Sequence, residues 1–334
     1  MASSAPPGPQ APLARRLALG SARLGRLGAP EYLGLLAFLV GLCAYFAATE
    51  PLFTSGSNLQ NLARQASILT MLVAGQIFVV LAGGIDISVG AQVSLLSIVA
   101  VVFSLEMALP LALLLTVLVG CAIGLINGLL VTVARISPII TTIATWQLLL
   151  GFSLWYTNGL PKRNFDSDYA WLGGSEILFL ATPTLLAILV VALAWFLLNR
   201  TSFGRYTYAV GGNAEASRLS GIRVRGVLIL GYVVCSFFTA LAAITLSSRV
   251  SSGLPDLGNG LEITAIAAVF IGGVAWGGGA GSIIGAVLGV GLLSVLSNGL
   301  DLNAVNSNIQ TMVIGALILL AVGVNNLRRR RHAV

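Results

Sequence analysis

Ten apolar runs follow one another along this chain, near residues 32–49, 66–82, 88–105, 108–134, 138–157, 179–198, 226–247, 261–275, 281–298 and 308–325. A helix needs roughly 17–25 apolar residues to cross the hydrocarbon core of a bilayer, and nearly all of the runs meet that length. Few folds are open to such a chain. Lipid offers no partner to the backbone, so each run must close its own hydrogen bonds as a helix. The expected fold class is therefore all-α, a polytopic membrane protein with about ten transmembrane helices. Charge agrees: 57% of the 334 residues are hydrophobic and only 9% charged, against about 25% charged in a soluble domain. That shortage excludes a cytosolic enzyme, a nucleic-acid binder and a disulfide scaffold.

The formal charge of +7 matters by its location rather than its total. Arg supplies seventeen of the eighteen basic residues, and Lys162 is the only Lys. With the N-terminus inside, ten spans return the C-terminus to the same side. The inner segments then hold Arg15, Arg16, Arg23, Arg26, Arg135, Arg200, Arg205, Arg218, Arg223, Arg225, Arg328, Arg329, Arg330 and Arg331. Outside remain Arg64, Lys162, Arg163 and Arg249, with the acids Glu50, Glu106, Asp166, Asp168, Glu176, Asp256 and Asp301. Nine or eleven spans spoil this positive-inside asymmetry. Both termini are expected in the cytoplasm. Residues 1–30 carry four Arg and no acid and are expected as a disordered cytoplasmic arm. The run over 32–50 is too long for a cleavable signal core; a mitochondrial transit peptide shares the arm's composition and is the alternative. The transmembrane domain is expected over 31–327, and a basic cytoplasmic tail over 328–334.

The chain also repeats itself. Residues 90–99, GAQVSLLSIV, lie over 260–269, GLEITAIAAV, and 120–129, GCAIGLINGL, over 291–300, GLLSVLSNGL. The offsets of 170 and 171 differ by a single slip, and Asn127-Gly128 meets Asn298-Gly299. Five spans separate the copies, so the halves are expected to be inverted, a common transporter construction. Chance likeness between Gly-rich apolar helices is the alternative.

Few residues carry chemistry. One His (His332) and the scattered Cys43, Cys121 and Cys235 make no plausible metal cluster. Asp86, within the run Gly83-Gly84-Ile85-Asp86-Ile87-Ser88-Val89-Gly90, is the one acid expected inside the membrane-spanning region, at a cost of about 2.5–3.5 kcal/mol. The flanking Gly suggest a broken helix, tolerated only against protein or a water-filled cavity. Two compatible readings stand: Asp86 lines or gates a path, or Asp86 or Ser88 caps the third span. Gln92, Asn127, Gln147, Glu262 and Asn298 are the other polar groups in or beside spans. Uncharged donors and acceptors suit sugar hydroxyls, and interhelical hydrogen bonding suits them equally. The candidates for a translocation path are Asp86, Ser88, Gln92, Asn127, Glu262 and Asn298.

Gly277, Gly281, Gly285 and Gly289 recur every four residues and predict a close helix-packing stripe along the ninth span. No Gly-Lys dipeptide occurs, so there is no nucleotide-binding P-loop. Ser57-Asn58-Leu59-Gln60 predicts a capping box ahead of the second span, with Leu59, Leu62, Ala63 and Ala66 as an apolar stripe. The inner loop 199–225 is the longest cytoplasmic connection. Within it, residues 211–221 predict a short helix with Asn213 as N-cap and Gly221 as its stop. It is either a docking site for a cytoplasmic partner or a plain basic interfacial helix. Outside, Phe165, Tyr169 and Trp171 in loop 158–178 suit an external partner or an aromatic belt.

Together LAGGIDISVG (81–90), GLINGLLV (124–131), FGRYTYAVGGNAEASRLSGI (203–222) and AIAAVFIGGVAWGGGAGSIIGAVLGVGLLSVLSNGL (265–300) resemble the permease subunit of bacterial ABC sugar importers, the ribose, xylose and galactoside class. The resemblance runs from about residue 51 to the C-terminus. It implies a permease homodimer in the bacterial inner membrane, with a cytoplasmic ATP-binding subunit and an extracytoplasmic solute-binding protein. This chain would bind no cofactor; ATP and Mg would sit on the partner ATPase. Gly212, Asn213, Glu215, Ala216, Arg218 and Gly221 would form the ATPase-coupling loop, and Asp86, Ser88 and Gly90 the broken-helix signature. The implied function is ATP-driven import of a monosaccharide, with selectivity mainly in the binding protein. Relatives carry autoinducers, inositol, nucleosides or branched-chain amino acids, so the cargo stays open among them. An autonomous secondary transporter would need ion-coupling groups, and one buried Asp is thin provision. An intramembrane enzyme lacks paired acids and an intramembrane His. A structural scaffold would not account for the inverted repeat.

Overall fold

The computed structural model describes residues 29–177 and 179–332. The arm expected over residues 1–30 lies outside the described residues but for its last two, which open the first helix. So do the last two residues of the expected tail. The elements, in order, are α1 (Ala29–Thr49), α2 (Gly56–Leu81), α3 (Val89–Glu106), α4 (Leu109–Thr132), α5 (Pro138–Thr157), β1 (Lys162–Arg163), α6 (Ser167–Gly174), β2 (Glu176–Ile177), β3 (Leu180–Ala181), α7 (Thr182–Arg200), α8 (Ser202–Gly212), α9 (Ala214–Leu219), α10 (Val224–Arg249), β4 (Ser252–Gly253), α11 (Leu261–Ile271), α12 (Ile283–Leu302) and α13 (Ser307–His332). The chain is an all-α polytopic membrane protein. Seven helices, α2, α3, α4, α5, α7, α10 and α12, are long and apolar enough to cross a bilayer, and Leu33–Thr49, Leu261–Ile271 and Ser307–Leu320 are shorter apolar stretches.

Sequence decides which helices lie at the centre. From Ser67 to Leu81 every residue of α2 is buried, as befits a helix apolar all round. Its most apolar stretch is 83% buried, against 22% for α5, which turns most of its surface outward. α10 packs against α4, α2 and α3, and α12 against α11, α2 and α1. Pro at the first turn opens α4, α5 and α7, where its missing N–H costs nothing. β1 pairs antiparallel with β4, Lys162 opposite Gly253 and Arg163 opposite Ser252.

Four expectations change here. First, α2 begins at Gly56 with Ser55 as its cap, the Ser55 hydroxyl accepting the Asn58 amide at 3.3 Å. Ser57 therefore lies in the first turn and forms no capping box. Of the expected stripe, Leu62, Ala63 and Ala66 are half-buried while Leu59 is exposed. Second, the run over 261–275 is helical only to Ile271. Eleven residues rise about 16 Å, roughly half a bilayer core. Third, the expected stripe Gly277, Gly281, Gly285 and Gly289 does not run along one helix. α12 starts at Ile283, and Gly277 and Gly281 lie in the loop before it, where positive φ at Gly278, Gly279 and Gly281 forbids helix. Gly289 does lie on α12, where its missing Cβ lets the Ala268 carbonyl of α11 approach. Fourth, Tyr169 is not displayed to a partner. It packs with Ala100, Val101 and Ile244 and shares a 2.6 Å hydrogen bond with Ser247. Burial pushes its hydroxyl up to about 12. Phe165 and Trp171 remain exposed.

Candidate functional site

The break between α2 and α3 is the centre of the site. Gly83 turns the chain with a φ of 88°, and the Gly84 amide reaches back to the Val79 carbonyl at 2.9 Å. Asp86 Oδ1 then accepts the Ser88 amide at 2.9 Å and the Ser88 hydroxyl at 2.5 Å. The first bond satisfies the N–H just ahead of α3, while the Ser88 side chain makes no capping bond of its own. The Ser88 oxygen accepts two amides, Gln92 Nε2 at 2.8 Å and Asn127 Nδ2 at 2.9 Å. Thr145 of α5 donates to Asn127 Oδ1 at 2.7 Å. A hydroxyl has one proton and two lone pairs, so Ser88 is saturated and every direction in the network is set.

Asp86, Ser88, Gln92 and Asn127 are all fully buried. Their depth follows from their helices. Asn127 is five residues from the end of α4 and Thr145 seven from the start of α5, roughly 8–10 Å inside. Asp86 is thus held within the bundle, and the network ties the break to α4 and α5. Asp86 Oδ2, Gln92 Oε1 and the Tyr232 hydroxyl keep no hydrogen-bond partner among the described residues.

The structure therefore gathers four of the six path candidates into one hydrogen-bonded network and holds the other two elsewhere. Glu262, in the first turn of α11, sits against Gly90; a Cβ at Gly90 would meet its carboxylate and come 2.7 Å from the Gly258 carbonyl. Asn298 of α12 exchanges paired bonds of 2.9 and 2.8 Å with Asn58 and fastens the start of α2.

Loop 199–225 forms α8 and α9. The Asn213 side chain accepts the Ala216 amide at 2.9 Å, and Gly221 follows α9 with a φ of 82°. Gly212, Asn213, Glu215, Ala216 and Arg218 are exposed, with Glu215 and Arg218 3.3 Å apart. Two features escaped sequence reasoning. One is α8, whose Phe203 stacks on Phe78 of α2 at 5.5 Å. The other is the junction at its end. The Gly279 amide donates to the Leu81 carbonyl at 2.9 Å, Gly211 abuts that same carbonyl, and Gly278 abuts Gly211 and Gly83. Only residues without side chains allow three backbones this close. The exposed α9 therefore follows directly on a contact with the end of α2, five residues before Asp86. The signal available in sequence was the glycine content of 272–282 and of 211–212, which says nothing about pairing.

Comparison with known proteins agrees with this architecture. The profile of the family described as "Branched-chain amino acid transport system / permease component" matches residues 58–322. The ribose import permease protein RbsC of Escherichia coli (strain K12) is 38% identical over 301 residues, 89% of this chain and 94% of that protein. Its counterpart in Bacillus subtilis (strain 168) is 38% identical over 298 residues, 88% of this chain and 92% of that one. The galactose/methyl galactoside import permease protein MglC of Escherichia coli (strain K12) is 33% identical over 318 residues, 89% and 95%. No solved structure matches significantly.

Proposed function

Because this chain belongs to the family of branched-chain amino acid transport system permease components, we propose that it is the membrane-spanning permease of an ATP-driven importer whose cargo is a monosaccharide. The observation that carries the cargo is its likeness, along nearly their whole length, to ribose and galactose/methyl galactoside import permeases. The chain sits in the bacterial inner membrane. Two copies form the path, a binding protein delivers the sugar from outside, and a separate cytoplasmic subunit holds ATP and Mg.

The seven long helices, Leu33–Thr49 and Ser307–Leu320 each make a pass, and the short Leu261–Ile271 makes the tenth together with the irregular chain ahead of it, with both termini cytoplasmic. The Arg distribution supports that topology. In support of a repeat, the matched Gly90 and Gly260 each stand within one residue of a helix start, at Val89 and Leu261.

Coupling runs from the exposed α9 into the bundle. The ATPase subunit grips Asn213, Glu215, Ala216 and Arg218 differently in its open and closed states, since a partner shifts an equilibrium only by such a difference. Motion of α8 then reaches the end of α2 through Gly211 and Leu81, and from there the Asp86 turn.

Reconstitution tests the function. Proteoliposomes holding the chain, its ATPase subunit and its binding protein are expected to take up D-ribose or D-galactose only with ATP; uptake without ATP or without the ATPase would overturn an ATP-driven importer. The docking role of α9 has its own check. Glu215→Ala and Arg218→Ala remove an exposed ion pair, which costs about 0–1 kcal/mol in stability. Both variants should assemble normally yet lower sugar-stimulated ATP hydrolysis; unchanged stimulation would count against α9 as the contact.

A further inference from the structure

Two of the four basic residues that the Arg distribution leaves outside, Arg64 and Arg249, stand together at the outer ends of α2 and α10. The two helices run antiparallel. Gly75 lies on the Cys235 backbone, and farther out the Thr245 hydroxyl is 4.0 Å from Met71 Sδ. Arg64 comes seven residues before Met71, and Arg249 four after Thr245. Those are steps of two turns and one, so each Arg continues the face already in contact. Their like charges are close enough to repel.

One acid serves the pair. Glu176 Oε1 accepts Arg64 Nη2 at 2.8 Å, while Arg64 Nε is buried without an acceptor among the described residues. Arg249 is half-buried, and among the described residues its side chain makes no hydrogen bond or ion pair. Gly173, at the end of α6, abuts the Arg249 backbone, but the acids of that segment, Asp166 and Asp168, stand at its other end. Two guanidinium groups thus share one carboxylate, and a partly desolvated cation without a counterion is costly. Depth narrows what the counterion is. Arg64 lies two residues ahead of the apolar run 66–82, and Arg249 two beyond 226–247. Both therefore stand at the level of the lipid headgroups. Trp171 and Phe179, on either side of Glu176 in the chain, are exposed apolar side chains in the same segment.

We propose that Arg64 and Arg249 hold the phosphate of one anionic phospholipid of the outer leaflet, at a lipid site between the outer ends of α2 and α10. The proposal rests on the topology given above and not on the cargo. Basic pockets between spans bind lipid headgroups by charge, and exposed aromatic side chains at that level suit the boundary between headgroup and acyl chain. A small anion from water would answer the charge and leave the exposed Trp171 and Phe179 without a role. Bound there, the lipid neutralises the second guanidinium and ties together the outer ends of two central helices. Glu176 competes with it for Arg64.

Native mass spectrometry of the full chain assembled with its ATPase subunit, titrated with phosphatidylglycerol, tests this. Arg249→Ala should weaken the tightest phosphatidylglycerol by at least about fivefold, the worth of one Arg near a headgroup. Arg249→Lys keeps the charge and should recover most of that loss. Glu176→Gln removes the competing carboxylate and should tighten binding. Arg163→Ala, an exposed cation on β1, should bind as the wild type does. Wild-type affinity in Arg249→Ala overturns the site, and so does an equal loss in Arg163→Ala, which would mean a diffuse charge effect. Equal affinity for zwitterionic phosphatidylcholine overturns the anionic headgroup. Displacement of the lipid by inorganic phosphate at equal concentration overturns a lipid in favour of a free anion. If Arg249→Ala lowers affinity for the binding protein and leaves the lipid in place, the pair serves a protein partner and the proposal falls. Should Arg249→Ala fail to assemble, Glu176→Gln decides the matter: unchanged or weaker lipid binding overturns the site. A wild-type complex that moves no sugar overturns the importer reading alone.

Discussion

Gly211→Ala is expected to cut ATP-driven sugar uptake by at least about tenfold and to lower the unfolding temperature, whereas Gly212→Ala leaves that temperature unchanged. A Cβ at Gly211 would land on the Leu81 carbonyl and 2.6 Å from the Gly279 amide nitrogen, while one at Gly212 meets nothing within 4 Å. Both obstacles at Gly211 are backbone, so no side chain can swing aside. Relief requires α8 to move off the end of α2, or the glycine loop 272–282 to move off both. Overpacking of this kind costs typically about 1–3 kcal/mol, and here it falls on the contact assigned to coupling. The Gly279–Leu81 hydrogen bond would lengthen with it. Uptake, sugar-stimulated ATP hydrolysis and thermal unfolding of the purified complex read the three effects separately. Gly211→Ala with normal stimulation would remove the junction from the coupling route; normal melting as well would mean the three backbones are not packed as described.

Ser88→Ala should be the most destabilising single change in the bundle. One hydroxyl donates to Asp86 and accepts both Gln92 and Asn127, all at zero exposure. Its removal strands two amide donors and takes from Asp86 Oδ1 its shortest bond. A buried polar group left without a partner costs about 1–3 kcal/mol, so two stranded amides lose about 2–6 kcal/mol. That is a large part of the about 5–15 kcal/mol by which proteins are stable. The variant is expected to accumulate poorly and to unfold far below the wild type in detergent. Ser57→Ala, on the exposed first turn of α2, is the matched control and should melt normally. A Ser88→Ala protein that melts with the wild type would show that Asp86, Gln92 and Asn127 find other partners, and the network would lose its bracing role.

Both predictions concern residues that sequence reading found or missed for identifiable reasons. Asn213 as a cap and Gly221 as a stop were legible because capping chemistry acts within four residues. Asp86 and Ser88 stood out because an acid is rare among apolar runs. That Ser88 is the hub was not legible, since its partners Asn127 and Thr145 come from two later helices. The glycine stripe misled because a period of four describes a helix face and a glycine-rich loop alike. Nothing local reveals that the loop after β4 turns back along α3, where the Leu254 and Gly258 amides meet the Ser97 and Ser94 hydroxyls.

What the sequence by itself determined is the medium and the fold class. Those depend on sums over long runs of residues, and such sums are robust to any single position. It also marked the family, through short motifs that survive in order. Only the tertiary structure decided that four of the polar candidates bond to one another. Only it set three glycine backbones together at the end of α2. These are pairings between residues far apart in the chain, chosen by close packing and by the need of every buried polar atom for a partner, and composition and periodicity carry no information about which distant residue that partner will be.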